Sequence, residues 1–267
     1  MDSTRRNRYL DALGIERWVS RTAPAATADD AVTNEIQSEP AVAIRSDAAA
    51  PVTREVSSPT PSMPVAKPAA PLPEVPRDWD GLRAAVAGCT RCKLCKTRTN
   101  TVFGVGQMQA PLMVIGEGPG ADEDARGEPF VGRAGKLLDE MLKAIGRSRN
   151  ETNLQKSVFI ANVVKCRPPG NRDPEPDEVE ACRPYLDQQI HLVRPKLIVA
   201  LGRVAAQRLL ATDAPLSKLR GPLYEYGSDR TPVLITYHPA YLLRSPGEKA
   251  KSWQDLKRIH RFLQDHA

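Results

Sequence analysis

Residues 111–124 read PLMVIGEGPGADED. A short apolar run ends on Gly116, glycines then alternate with Glu117 and Pro119, and three acids follow at 122–124. An apolar run of this length bounded by Gly is the pattern of a strand buried on both faces. Acids directly after it suit the first turn of a helix. The unit recurs downstream. SVFIANVV at 157–164, KLIVAL at 196–201 and PVLITY at 232–237 are three further strands. Helical spacing fills the intervals: Leu137, Leu138, Met141, Leu142 and Ile145 within 134–145, the Pro-led stretch 176–193, then 202–210 and 249–264. Strand–helix alternation predicts an α/β fold, a three-layer αβα sandwich around a central, mainly parallel four-stranded sheet. Right-handed crossovers gather the strand C-terminal ends on one edge, where ligands bind. The loops 116–132, 165–174, 202–203 and 238–246 leave that edge.

Outside this block the composition changes. The chain has 267 residues, 24 of them Pro. Ten Pro and 13 Ala fall within 21–77, too little apolar surface to offset the entropy of ordering. Residues 23–77 are therefore predicted to be a linker. Before it, STRRNRYLDALGIERWVSR at 3–21 carries Leu10, Leu13, Ile15 and Trp18, a short helical peptide over 1–22. The predicted globular domain is 78–267. It holds 29 Lys and Arg against 22 Asp and Glu, a balance that suits a polyanionic partner. No run of about 18 apolar residues is present to span a membrane. Met1 leads into no apolar signal core, so a cytoplasmic location is expected. The five Cys all lie between 89 and 182, and in a reducing compartment they read as metal ligands rather than disulfides.

Cys89 and Cys92 form a C-x2-C pair, and Cys166 and Cys182 supply a second pair. Four thiolates close a zinc site or hold a cubane cluster, and spacing alone does not separate the two. Cys95 extends the first pair to C-x2-C-x2-C. The loop 116–124 has no Lys and many acids, which excludes a Walker phosphate cradle. Its carboxylates suit stabilising a developing cation or positioning water; the plainer alternative is a helix-start charge run. Phe130 sits between glycines and either stacks on a flat ring or plugs the core. Asn162 ends an apolar strand, where an amide needs a partner. Its donor and acceptor match the O4/N3 edge of uracil and mismatch cytosine; the plainer alternative is a structural Asn satisfied within the fold. His238 ends the fourth strand. Tyr241, Leu242 and Leu243 then form an expected exposed wedge before Arg244, of the kind that fills the gap left by an extruded base; the plainer alternative is a helix start packing on the body.

Taken together, CTRC at 89–92, GEGPGADED at 116–124, GEPFVGRAG at 127–135, ANVVKCRPPGNRDP at 161–174, LIVALGRVAA at 197–206 and YHPAYLLR at 237–244 resemble the family 4, iron–sulfur uracil-DNA glycosylases. The resemblance spans about 80–267. It implies a hydrolase of base excision repair that removes uracil from single- or double-stranded DNA and leaves an abasic site. It implies a [4Fe–4S] cluster on Cys89, Cys92, Cys166 and Cys182, structural in role, with Cys95 outside the ligand set. Glu117 would position water or stabilise the sugar cation, with Glu123 the second candidate acid. Phe130 would stack on uracil, Asn162 would read its polar edge, and His238 would bond to its O2. Gly118 belongs to the uracil pocket, where glycosylases of another family keep a catalytic Asp. Arg133, Tyr241, Leu242, Leu243 and Arg244 would meet DNA.

A relative that traps uracil covalently carries a KRRIH insert after the second strand. Here that loop is RPPGNRDPEP, and Lys257-Arg258-Ile259-His260 falls in the last helix. The peptide 1–22 is itself similar to the N-terminal peptide of the psi subunit of the bacterial clamp loader, which implies a tether to the replication fork. A nucleoid-associated monomer without a membrane partner is expected. The rival reading from the residues alone is a non-catalytic, zinc-stabilised nucleic-acid-binding protein.

Overall fold

The computed structural model describes residues 74–266, all within one compact unit. The expectations for the 1–22 peptide and for the 23–77 linker up to residue 73 lie outside the described residues. The four apolar runs form β2 (Leu112–Gly116), β3 (Val158–Asn162), β4 (Leu197–Leu201) and β6 (Thr231–Thr236), all mutually parallel. The sheet has six strands, not four, in the order β1-β3-β2-β4-β6-β5. The additions are the antiparallel edges β1 (Val105–Gly106) and β5 (Tyr224–Tyr226). Neither carries an apolar run. They are two and three residues long and part-exposed, as edge strands commonly are.

Alternation along the parallel strands builds the two sides of the core. Met113, Ile115, Phe159, Ala161, Ile198, Ala200, Val233 and Ile235 pack on one face. That face is covered by α1 (Trp79–Ala87), α4 (Pro176–Val193) and α5 (Gly202–Leu210), which bury Leu82 and Val86, Val179 and Tyr185, and Ala205 and Leu209. Leu112, Val114, Val158, Ile160, Leu197, Val199 and Leu234 pack on the other. There the covering helices are α3 (Arg133–Ala144) and α8 (Lys249–Asp265), through Leu137, Leu138, Met141, Leu142, Leu256, Ile259 and Leu263. The result is the expected three-layer sandwich. Ile259, from the KRIH stretch, is one of these core residues, so that stretch is a helix face and not a site. Three short helices complete the unit: α2 (Ala121–Arg126), α6 (Leu216–Leu219) and α7 (Pro239–Arg244). Among the described residues no helix is long and apolar enough to cross a membrane.

Parallel register places the ends of β2 and β3 side by side, Gly116 opposite Asn162. β4 and β6 finish beside them, at Leu201 and Thr236. The loops that carry the expected chemistry therefore leave one sheet edge together.

Candidate active site and cysteine cage

A cleft of about 790 Å³ opens at that edge, lined by Glu117, Gly118, Phe130, Asn162, His238 and Arg244 among others. Asn162 is 2% exposed, and its Oδ1 has no hydrogen-bond partner among the described residues. An unsatisfied buried carbonyl costs about 1–3 kcal/mol, so its retention calls for a ligand donor. Phe130 lies against it. A Cβ on Gly116 would fall 2.5 Å from Asn162 Oδ1 and 2.6 Å from Phe130 Cζ. Only glycine permits this approach of ring, amide and strand end.

His238 caps α7. Its Nδ1 accepts a hydrogen bond from the Ala240 N–H at 3.1 Å, so the neutral ring carries its proton on Nε2, a donor. Burial, with Arg244 nearby and against the pull of Glu123, lowers its pKa to about 4. The ring stays neutral at physiological pH. Its centroid lies 5.6 Å from that of Phe130. Glu117 faces the same cleft. Burial first, then the Asp173 carboxylate, push it up to about 7, while Arg203 pulls it down. Asp173 is itself ion-paired with Arg203.

The acids at 122–124 open α2, as the plainer alternative had it. Glu123 lines the cleft, but both of its oxygens are engaged: Oε2 accepts from Gly120 N–H at 3.1 Å, and Oε1 from Val131 and Gly132 N–H at 3.0 and 3.1 Å. Three backbone donors occupy three of the carboxylate's four lone-pair positions, so Glu123 holds the Phe130 loop against the 116–120 loop and is the less available of the two candidate acids. Asp124 is buried and accepts from the Thr99 and Asn100 N–H groups.

The expected wedge is corrected. Tyr241 and Leu243 are 37% and 36% exposed, but Leu242 is 1% exposed and packs into the sheet-side core. One turn of helix turns successive side chains by about 100°, so three consecutive apolar residues cannot all face outward. Arg133 and Arg244 are exposed.

On the opposite sheet face all five cysteines line one small cavity with Arg98, Lys165 and Tyr185. Cys89 and Cys92 follow α1, Cys166 leaves β3, and Cys182 sits in α4. Arg98 donates to Cys166 Sγ at 3.1 Å, and the Lys165 N–H donates to Cys182 Sγ at 3.2 Å. Burial raises the Cys92 and Cys166 thiols and pushes Cys182 up to about 12. An all-sulfur donor set in a half-buried cage, with N–H groups already aimed at two of the sulfurs, fits a bound iron–sulfur group. Cys95 faces the same cavity, one turn beyond Cys92. Among the described residues no three Cys, His, Asp or Glu side chains close into a site for a single metal ion.

The profile of the uracil DNA glycosylase superfamily matches residues 103–257. The chain belongs to this superfamily. Over 186 residues it is 44% identical to the type-4 uracil-DNA glycosylase of Archaeoglobus fulgidus, covering 67% of this chain and 90% of the relative. It is 41% identical over 182 residues to the type-4 enzyme of Thermotoga maritima, covering 67% and 91%. With a type-5 uracil-DNA glycosylase of Pyrobaculum aerophilum it shares 30% over 197 residues, covering 62% and 85%. Membership removes the non-catalytic alternative.

Two residues of this glycosylase escaped sequence reasoning. Lys165 is 1% exposed; its ammonium donates to the Asn162 carbonyl at 2.8 Å and to Gln189 Oε1 at 2.6 Å. It joins the strand end that carries the cleft amide to the cysteine cage. Arg149 is 7% exposed and reaches the Phe130 loop from a separate connection. A charged residue at a loop position is ordinarily solvated, so neither left a signal in the sequence.

Proposed function

We propose that this glycosylase hydrolyses the bond between deoxyribose C1′ and N1 of uracil in single- or double-stranded DNA, leaving an abasic site for base excision repair. The observation that carries this reading is the unpartnered, buried Oδ1 of Asn162 beside the Phe130 ring. Uracil presents an N3–H donor next to the O4 acceptor, and an amide answers both; cytosine presents the reverse order. The base would leave the stack, lie on Phe130 and set its polar edge against Asn162.

The bond then breaks with its electron pair on uracil N1. Nε2–H of neutral His238 donates to O2 and stabilises the charge spread over the leaving anion. Water adds to C1′, and its proton passes to the Glu117 carboxylate and on to solvent. Near neutral pH Glu117 is about half ionised, which suits a proton acceptor. Tyr241, Leu243, Arg244 and Arg133 would contact DNA around the extruded base.

Cys89, Cys92, Cys166 and Cys182 would hold a [4Fe–4S] cluster. Bound there, the group would supply no chemistry to the hydrolysis; the four cysteines that would hold it come from the segment after α1, the segment after β3 and α4. The same proposal has a monomeric, nucleoid-associated enzyme whose residues 1–22 dock on the clamp loader, supported by the sequence resemblance of that peptide.

The test uses the full-length protein and a labelled oligonucleotide with one uracil. Alkali-labile cleavage at that position, absent from a thymine-bearing control, supports the assignment. No cleavage in either strand form overturns it.

A further inference from the structure

Phe130 is a non-glycine residue in the left-handed region, with φ 56°. Such a conformation persists only when its surroundings over-determine it. Glu123 holds the amide side of this loop. The carbonyl side is held by Arg149: NH1 donates to Pro129 O at 2.7 Å and NH2 to Phe130 O at 3.1 Å. The third guanidinium edge, Nε–H, donates to Asp139 Oδ1 at 2.9 Å, on α3. Glu128 adds a longer ion pair at 3.6 Å. The planar fork thus spans two consecutive carbonyls and a carboxylate, a task that a single ammonium does not match. The start of α3 closes the remaining side, since a Cβ on Gly135 would fall 1.8 Å from Phe130 O.

We infer that Arg149 is a positioning residue for uracil recognition: it sets the plane of the Phe130 ring by gripping the two carbonyls on either side of the turn. Arg149 does not line the cleft and touches no substrate; it acts through Phe130. The inference rests on the reading that Phe130 stacks on uracil. Stacking depends on ring plane and distance, so a released loop weakens base binding before it weakens bond cleavage.

The experiment is a double-mutant cycle in the full chain, with Arg149→Lys, Phe130→Ala and the pair, and with Arg149→Ala as a more severe variant. Two quantities are read: kcat/KM on the uracil oligonucleotide and inhibition by free uracil. Expected is a rise of about tenfold or more in the uracil inhibition constant of R149K, with KM rising more than kcat falls. In the F130A background the same change should alter either quantity less than threefold. If R149A does not fold, R149K decides alone, because it keeps the charge while losing the fork. Equal losses in both backgrounds, or R149K at natural values, overturn the inference while the stacking reading stands. Free-uracil inhibition unchanged in F130A overturns the stacking reading and the inference with it.

Discussion

Glu117→Gln separates what the cleft costs from what it does. The natural carboxyl is moved from its ordinary 4.5 to about 7, chiefly by burial and then by Asp173. An acid with a raised folded value binds its proton more tightly when folded than when unfolded. Its contribution to stability is therefore fully present below about 4.5 and is lost as pH rises through about 7. One pKa unit is about 1.4 kcal/mol, so the whole shift is about 3 kcal/mol. The carboxyl is partly open to the cleft, and solvent screening brings this to about 1–2 kcal/mol. Glutamine never ionises. E117Q should thus be the more stable protein at pH 8 by that amount, about 3–6 °C in Tm for a domain of this size, with the difference vanishing near pH 4.5. Activity moves the other way. In the natural protein kcat/KM should rise about tenfold between pH 6 and 8 as the carboxylate forms, and E117Q should lose that rise and about 100-fold in rate. Thermal melts at pH 4.5 and 8, with single-turnover excision across pH 5–9, give both numbers. A variant less stable than the natural protein at pH 8, or one that keeps the same pH profile, refutes the reasoning.

Asn162→Asp removes the amide donor and sets a negative charge against uracil O4; excision should fall by about 100-fold or more, measured by single-turnover cleavage. Gly116→Ala drives a methyl into the 2.5 Å gap before Asn162 Oδ1. Overpacking of this kind costs about 1–3 kcal/mol, and free-uracil inhibition should weaken at least tenfold. Cys166→Ser or Cys182→Ser should bleach absorbance near ~400 nm and lower Tm, while Cys95→Ser keeps the colour; bleaching by the last alone would reassign the ligands. Deleting residues 1–77 should change excision from a short oligonucleotide by less than about twofold, since the catalytic groups all lie beyond them.

Much of this arrangement was legible because burial on both sheet faces writes strands as unbroken apolar runs. LMVIG, VFIAN and LIVAL each came through as a strand with every residue buried. The edges β1 and β5 left no such mark, because two or three half-exposed residues need only backbone partners. The cleft amide, ring and imidazole were also legible, each being an anomaly in its place: a polar group ending an apolar strand, an aromatic among glycines, a histidine at a strand end. The roles of Glu123 and Arg149 were not. Both depend on which backbone groups arrive from elsewhere in the chain, and residue type carries no record of that. Leu242 shows the same limit from the other side. Its type suits a DNA wedge and a core equally, and helix phase alone decides.

The clasp around residues 128–132 bears on how an enzyme of this kind searches. Nearly every base it meets in a genome is undamaged, so its time goes to refusals. If Phe130 stacks on the base as proposed, a ring already held by Glu123 and Arg149 would need no loop closure before a base is judged. Under the proposed reading, a cytosine that swings out would meet a preformed wall and an amide of the wrong sense, and would return to its stack without a slow rearrangement having been spent on it. Rigidity at Phe130 is then a matter of throughput: the fewer steps that precede rejection, the more DNA one molecule inspects between lesions.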